Sequence, residues 1–425
     1  MKSLDAKLAE IKANPASRAF ILADAKDADM AFGVRAMGPR HYLSSHGAQA
    51  ARFSPEVWTR EEFGHRNLPE FLDIIREVVG QGLVDIMLMS ASVNEQLAIK
   101  EGLFRKSHVT PAARANDATD VWAVRHGSYL HEPSHPFRSA TIDHIQCGQA
   151  QCDRSADDVP GANLGLYSIT FVNNLEQDLA SLQAFKEFRI EAERKKFRYF
   201  LEVFDPNVAN GIPPEKLGEF INDNIVRSLA GVTSAGRPLF LKIAYHGPRL
   251  MEELAQYDPN LIVGVLGGSA GTTHDAFRLI HDAQKYGARV ALFGRKINNA
   301  EHQLAFIEML RLITDGRIAP DEAVRAYHNI LGKLGLQPKR PLEKDLLLTD
   351  QAMSYGGSPT RVSVPVAANP LAPAIAPGAA PKPPAGPAAN APAWPVRPDG
   401  SPDFATMTSA ERRAYDADRL KRRFG

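Results

Sequence analysis

The sequence predicts an α/β protein: a (β/α)8 TIM barrel with an insertion after its third strand and a Pro/Ala-rich C-terminal tail. Three observations carry this expectation. From about residue 19 to residue 335, short apolar runs alternate with longer stretches of helical periodicity, as parallel strands and their crossover helices do. The runs number eight: 19–24, 84–90, 109–115, 166–172, 198–204, 238–245, 261–268 and 289–294. The 425-residue chain is 44% hydrophobic, enough for a core of this size.

In chain order, residues 1–15, "MKSLDAKLAEIKANP", predict an amphipathic helix without a secretory apolar stretch. Between the strands, "LPEFLDIIREVVGQG", "LEQDLASLQAFKEFRIEAERKK", "PPEKLGEFINDNIVRSLAG", "RLMEELAQY" and "THDAFRLIHDAQKYG" read as helices, several stopped by a glycine cap. Residues 117–164 break the rhythm with several His, Pro and Gly. Following the third strand, they are expected over the C-terminal mouth as a lid or an oligomer contact. The barrel domain is expected to span 1–350, a disordered linker 356–405 and a short basic helix 406–425, started by a capping box of Thr408 and Glu411. That helix is either a solvated end or a docking arm.

Bulk charge names no partner. Fifty Lys and Arg stand against 49 Asp and Glu, a formal charge of +1, so nucleic acid and anionic membranes are not expected partners. No run approaches the length of a membrane span, and the expected location is the cytoplasm. Cys147 and Cys152 lack the second pair that a structural zinc site needs and are expected as two reduced thiols.

The candidate site begins with "RPLFLKIAYHG" (237–247), where Lys242 interrupts an apolar strand. Alternation puts Phe240, Lys242 and Ala244 on one face, and Leu241, Ile243 and Tyr245 on the other. If the lysine's face is the barrel interior, two outcomes are open. Desolvation favours the neutral amine, a nucleophile suited to Schiff-base chemistry; or a carboxylate such as Glu202 or Asp24 satisfies the ammonium. The next two strands end in Gly267, Gly268 and Ser269, and in Gly294 and Arg295. Loops after strands seven and eight of such barrels commonly hold phosphate, because glycines let backbone N–H groups approach and arginine adds a bidentate pair. A dinucleotide site is excluded by the missing G-x-G-x-x-G spacing, and no phosphate loop of the GK[ST] type is present.

The succession "LKIAYHG", "GVLGGSAGTTHDAFRLIHDAQKYGA" and "ALFGRKI" resembles the C-terminal half of the DhnA-type class I aldolases. That family includes archaeal-type fructose-bisphosphate aldolases and LsrF-like enzymes. The resemblance runs from about 160 to 310 and implies an imine on Lys242, and phosphate binding by Gly267, Gly268, Ser269, Gly294 and Arg295. "ILADAKDADMAFG" is similar to the family's first strand, which implies a catalytic role for Asp24 or Asp27. One departure stands out: the fourth strand's tyrosine proton donor aligns with Phe171, and Tyr167 lies more than one pleat deeper. His246 is then a candidate substitute acid or base, and Arg114, Asn116, Asp117 and Glu202 are candidates at the mouth.

Together these features imply a metal-independent, cofactor-free lyase. It would make or break a C–C bond in a carbonyl compound, expected to be a phosphorylated sugar or keto acid, and would act as a homo-oligomer. A different class competes: a barrel kept as a scaffold, with Lys242 salt-bridged, an effector in the anion site and a partner-binding tail. A metal-dependent isomerase built on His108, His126, His131 and His135 lacks H-x-x-x-H spacing and is the weakest of the three.

Overall fold

The structure is a computed structural model. It describes residues 1–14, 16–31, 33–39, 65–268 and 271–349, together with 394–396, 402, 403, 406–408, 410–412, 414, 415 and 418. Eight parallel strands close into a barrel in sequence order. We number them β1 (Ile21–Lys26), β2 (Ile86–Met89), β3 (Thr110–Arg114), β4 (Leu164–Thr170), β5 (Arg198–Phe204), β6 (Leu241–Ile243), β7 (Gly264–Gly267) and β8 (Val290–Phe293). Each of the eight predicted runs overlaps one, and six contain theirs entirely. The strands are buried on both faces, as a sheet jacketed by helices requires.

The N-terminal helix α1 (Ser3–Ala13) turns Leu4, Leu8 and Ile11 into the barrel's lower interior, against Ile21, Leu164, Phe200 and Phe240. It is a plug for the N-terminal end. Five crossover helices follow the predicted patterns: α2 (Leu68–Gln81), α3 (Leu175–Arg194), α4 (Leu217–Ala230), α5 (Pro248–Tyr257) and α6 (Thr273–Lys285). Helix α2 begins at an Asn67–Glu70 capping box and stops at Gly82 in the left-handed region, where a Cβ would be strained. Two further helices, α7 (Gln303–Thr314) and α8 (Pro320–Lys333), complete the jacket. No helix among the described residues is long and apolar enough to cross a membrane.

The insertion carries more structure than its composition suggested. Two-residue strands Asp117–Ala118 and Pro136–Phe137 pair antiparallel, and a short helix spans Ile142–Cys147. Asp120 accepts hydrogen bonds from Ser134 Oγ and Thr170 Oγ1, both at 2.8 Å, which pins the insertion to the top of β4. The expectation of two free thiols is overturned. Cys147 and Cys152 form a disulfide with their Cα atoms 5.6 Å apart. The cause is local: Gly148, at φ 74°, ends the short helix and reverses the chain, while Cys152 N–H donates to Asp143 Oδ1 at 2.9 Å.

Residues 1–367 and 368–425 form two separate units. In the second, most of the expected linker lies outside the described residues. Thr408 N–H donates to Glu411 Oε2 at 2.7 Å and Glu411 N–H returns a bond to Thr408 Oγ1 at 3.3 Å; residues 410–412 are helical.

On β1, Ala23 packs in the barrel interior and Ala25 faces the cavity above it, so Leu22, Asp24 and Lys26 point to the helix layer. There Asp24 and Lys26 are completely buried and paired, Lys26 Nζ lying 2.9 and 2.7 Å from the two carboxylate oxygens. Burial pushes the Asp24 carboxyl up against the opposing pull of Lys26, and pushes the Lys26 amine down. Removing one partner strands the other, so Asp24→Leu is expected to cost about 3–5 kcal/mol. The double variant Asp24→Leu/Lys26→Met should recover most of that in urea unfolding. A double variant no more stable than the single one would contradict the pairing.

Candidate active site

Strand register assembles the site. Ser168 on β4 is the lateral partner of Glu202 on β5, and Glu202 is the lateral partner of Lys242 on β6. Two residues earlier on the same inward faces, Phe200 and Phe240 stack with ring centroids 4.6 Å apart. The polar row therefore rests on an apolar floor, where an unpaired charge would be costly. Lys242 Nζ lies 2.5 Å from Glu202 Oε1, and Ser168 Oγ donates to Glu202 Oε2 at 2.9 Å. The Glu202 side chain is 1% exposed and that of Lys242 11%.

Arg114, at the inward-facing end of β3, extends the row. It donates to Asp27 Oδ2 at 2.8 Å, to Ser168 Oγ at 3.4 Å and to Asn116 O at 3.0 Å, and lies 3.3 Å from Asp117 Oδ1. Burial works against its charge, but Asp27, Asp117 and Glu202 outweigh that, and the guanidinium is held more firmly protonated than usual. Asn116 exchanges two hydrogen bonds with the backbone of Ser168, at 2.9 and 2.7 Å. Its amide thus acts as a rung between the β3 exit and β4, away from the cavity lining.

Above the row, at the C-terminal mouth, opens a cavity of about 100 Å³. Asp27, Arg114, Glu202 and Lys242 line it together with Gly267, Gly294 and Arg295, with Leu266, Leu292, Phe204 and Val121 as apolar wall. Val121 comes from the insertion and packs with Ala31 and Ala118, so the insertion supplies part of the cavity's wall. At Gly294 a Cβ would come 3.1 Å from Ala25 O, so its absence lets the eighth loop lie against β1. Gly268 is next in line and half-buried; Ser269 lies outside the described residues.

The structure separates the remaining candidates from this cavity. Asp24 faces the helix layer, as described above. His246 Nε2 lies 2.9 Å from Asp205 Oδ1, beside Gly218, where an added Cβ would come 2.7 Å from the histidine's own Cβ; it does not line the cavity. The alignment of Phe171 with a proton-donor position is corrected. Phe171 and Tyr167 belong to the outer core, with Tyr167 stacked on Phe188 at 4.5 Å. The inward residues of β4 are Ser168 and Thr170, because alternate side chains leave opposite faces. Ser168 was therefore legible by parity alone, once Leu164 and Leu166 were taken as interior. Among the four histidines, His108 lies 2.7 Å from Gly82 O, while His126, His131 and His135 are exposed. Among the described residues no three His, Cys, Asp or Glu side chains form a metal-binding group.

Composition gave no hint of Asp29. Ser90 Oγ donates to its Oδ2 at 2.6 Å, while its Oδ1 is buried with no hydrogen-bond partner among the described residues. Burial pushes this carboxyl up to about 6, opposed by the Ser90 bond and reinforced by the Asp27 charge. Asp117 is likewise raised to about 6, by burial against the pull of Arg114. A carboxyl whose folded pKa exceeds its unfolded one stabilises below the unfolded value and loses that contribution as pH rises through the folded one. Asp29→Asn is thus expected to gain on the parent protein by roughly 2 kcal/mol between pH 4 and pH 7. Urea unfolding at the two pH values checks this; equal differences at both would contradict it.

No protein-family model and no curated protein sequence matches this chain. Solved structures do. A fructose-bisphosphate aldolase from Slackia heliotrinireducens superposes with a TM-score of 0.50 at 12% identity, covering 76% of this chain and 89% of that one. An archaeal fructose-1,6-bisphosphate aldolase, solved with its catalytic lysine bound to a carbinolamine intermediate, gives 0.48 at 12%, covering 72% and 99%. A protein from Corynebacterium glutamicum gives 0.46 at 14%, covering 74% and 94%. At 12% identity the likeness to the Slackia heliotrinireducens protein shows the barrel fold alone.

Proposed function

We propose that this chain is a class I aldolase-type lyase that cleaves or forms a C–C bond in a phosphorylated ketose or keto acid through an imine on Lys242. One observation carries the reading most: the Lys242 amine and the Glu202 carboxylate form an ion pair at a cavity that Gly267, Gly294 and Arg295 also line. Glu202 takes the proton from Lys242, and the neutral amine adds to the substrate carbonyl, giving a carbinolamine. The returned proton leaves with the hydroxyl as water, and the iminium remains. Asp27, beside Arg114, accepts the proton of the β-hydroxyl. The C–C electrons then pass into the iminium as an enamine and an aldehyde departs. Protonation at carbon and hydrolysis free the second product and the lysine. Backbone N–H groups near Gly267 and Gly294, with Arg295, suit an anionic end of the substrate. Homo-oligomeric assembly and a cytoplasmic location remain part of this reading on the strength of the sequence resemblance.

A second reading is favoured by the same contact. With Lys242 paired to Glu202 and Asp27 to Arg114, both reacting groups have structural partners, as they would in a scaffold barrel that binds an anionic effector.

Reduction with borohydride in the presence of dihydroxyacetone phosphate separates the two. The lyase reading expects a stable adduct on the Lys242 peptide by mass spectrometry, none in Lys242→Met, and turnover reduced about 10²-fold or more in Asp27→Asn. No adduct with any ketose or keto acid, phosphorylated or free, would leave the scaffold.

A further inference from the structure

Beyond α8 the chain returns to the mouth of the barrel and binds the start of α6 residue by residue. Thr273 N–H donates to Asp345 Oδ1 at 2.8 Å, and Thr272 Oγ1 to Leu347 O at 2.7 Å. His274 Nδ1 lies 2.7 Å from Leu346 O. Thr349 donates through N–H and Oγ1 to the two oxygens of Asp275, at 2.9 and 2.5 Å. From the other side Lys296, next to Arg295, donates through Nζ to Gly271 O at 2.9 Å. Each of the four residues Gly271–His274 thus has a partner elsewhere in the chain.

Helix capping calls for only one of these bonds. Thr272 and Asp275 already form a reciprocal capping box, which satisfies two of the first turn's free N–H groups, and Asp345 adds the Thr273 N–H. The additional partners fix where the turn sits. Gly271 holds φ +81°, a conformation glycine alone adopts readily, and Gly267, at the end of β7, lines the cavity. The clamp is polar and therefore releasable. Leu347 and Leu348 are 57% and 42% exposed, and single hydrogen bonds exchanged with water contribute little net stability each. Asp345 anchors it: burial alone would raise its carboxyl, but bonds from Thr273 N–H and His328 hold it below the usual range.

We propose that Asp345–Thr349 is a clamp whose residues position the Gly271–Thr273 turn, and through it Gly267, to receive an anionic group in the cavity. This deepens the lyase reading and rests on it for the identity of that group as a substrate phosphate. By linkage, an anion that prefers the positioned turn tightens the clamp by the factor by which the clamp tightens the anion.

Hydrogen exchange on the full-length protein tests it, with Thr349→Val and Asp345→Asn as two shape-conserving variants and inorganic phosphate as the probe. The clamp expects exchange at the amides of Gly268, Gly271, Thr272 and Thr273 to rise tenfold or more in both variants, with β1–β6 unchanged. It also expects the Kd for phosphate to rise at least fivefold, and phosphate to slow exchange at 345–349 in the parent. Unchanged exchange at the turn in both variants would overturn the clamp; so would unaltered phosphate affinity despite faster exchange, or a parent that does not bind phosphate. Imine trapping at Lys242 reports separately: its failure alongside a clamp-dependent phosphate site removes the lyase and leaves the clamp.

Discussion

The site depends on one lateral contact, the ion pair between Glu202 and Lys242, side by side on neighbouring strands above the stacked rings of Phe200 and Phe240. Two charges on an apolar floor are tolerated only as a pair with their remaining valences met, and Ser168 meets one of them from the next strand over. Each of the three residues fixes the register of the strand beside it. A slip of one residue would turn Glu202 into the helix layer and leave Lys242 facing Phe-lined space. Chemistry and closure of the barrel are in this sense one constraint.

Arg114 extends the constraint to the first strand. Five ionisable side chains, Asp27, Asp117, Arg114, Glu202 and Lys242, share the top of the interior, all largely removed from solvent. Burying so much charge is costly, and the fold offsets it by neighbour-to-neighbour pairing rather than by solvent. Natural barrels keep conservation of this kind of expense for the C-terminal face, where side chains from different strands converge. Apolar residues dominate the lower layers, where only packing is required.

Much of the architecture was legible because it rests on short-range periodicity. All eight strands and five crossover helices follow from alternation of apolar runs with 3.6-residue patterns, and Lys242 stood out as a charge within such a run. Parity then placed Lys242 and Phe240 on the same face, as the structure has them. Its partner was harder to choose, since sequence does not state register between strands 40 residues apart in the chain, and Glu202 was one of two carboxylates named. Asp24 and Asp27 could not be told apart for the same reason: three positions separate an outward carboxylate on β1 from one beyond its end that reaches the mouth. Phe171 was misplaced by a single step of the pleat. The disulfide escaped notice because spacing alone does not reveal a helix that stops at Gly148 and doubles back. The environment of Asp29 and the bonds between residues 345–349 and Thr272–Asp275 arise only from tertiary contact.

The plug formed by α1 bears on traffic. With Leu4, Leu8 and Ile11 filling the barrel's lower end, the cavity is a blind well whose only opening is the upper mouth among the described residues. Whatever goes in must come out the same way. On the lyase reading, a molecule split at the bottom of such a well would exit in sequence, the untethered fragment first, while a fragment still bonded to the floor waits its turn and keeps the vacated space for the next arrival.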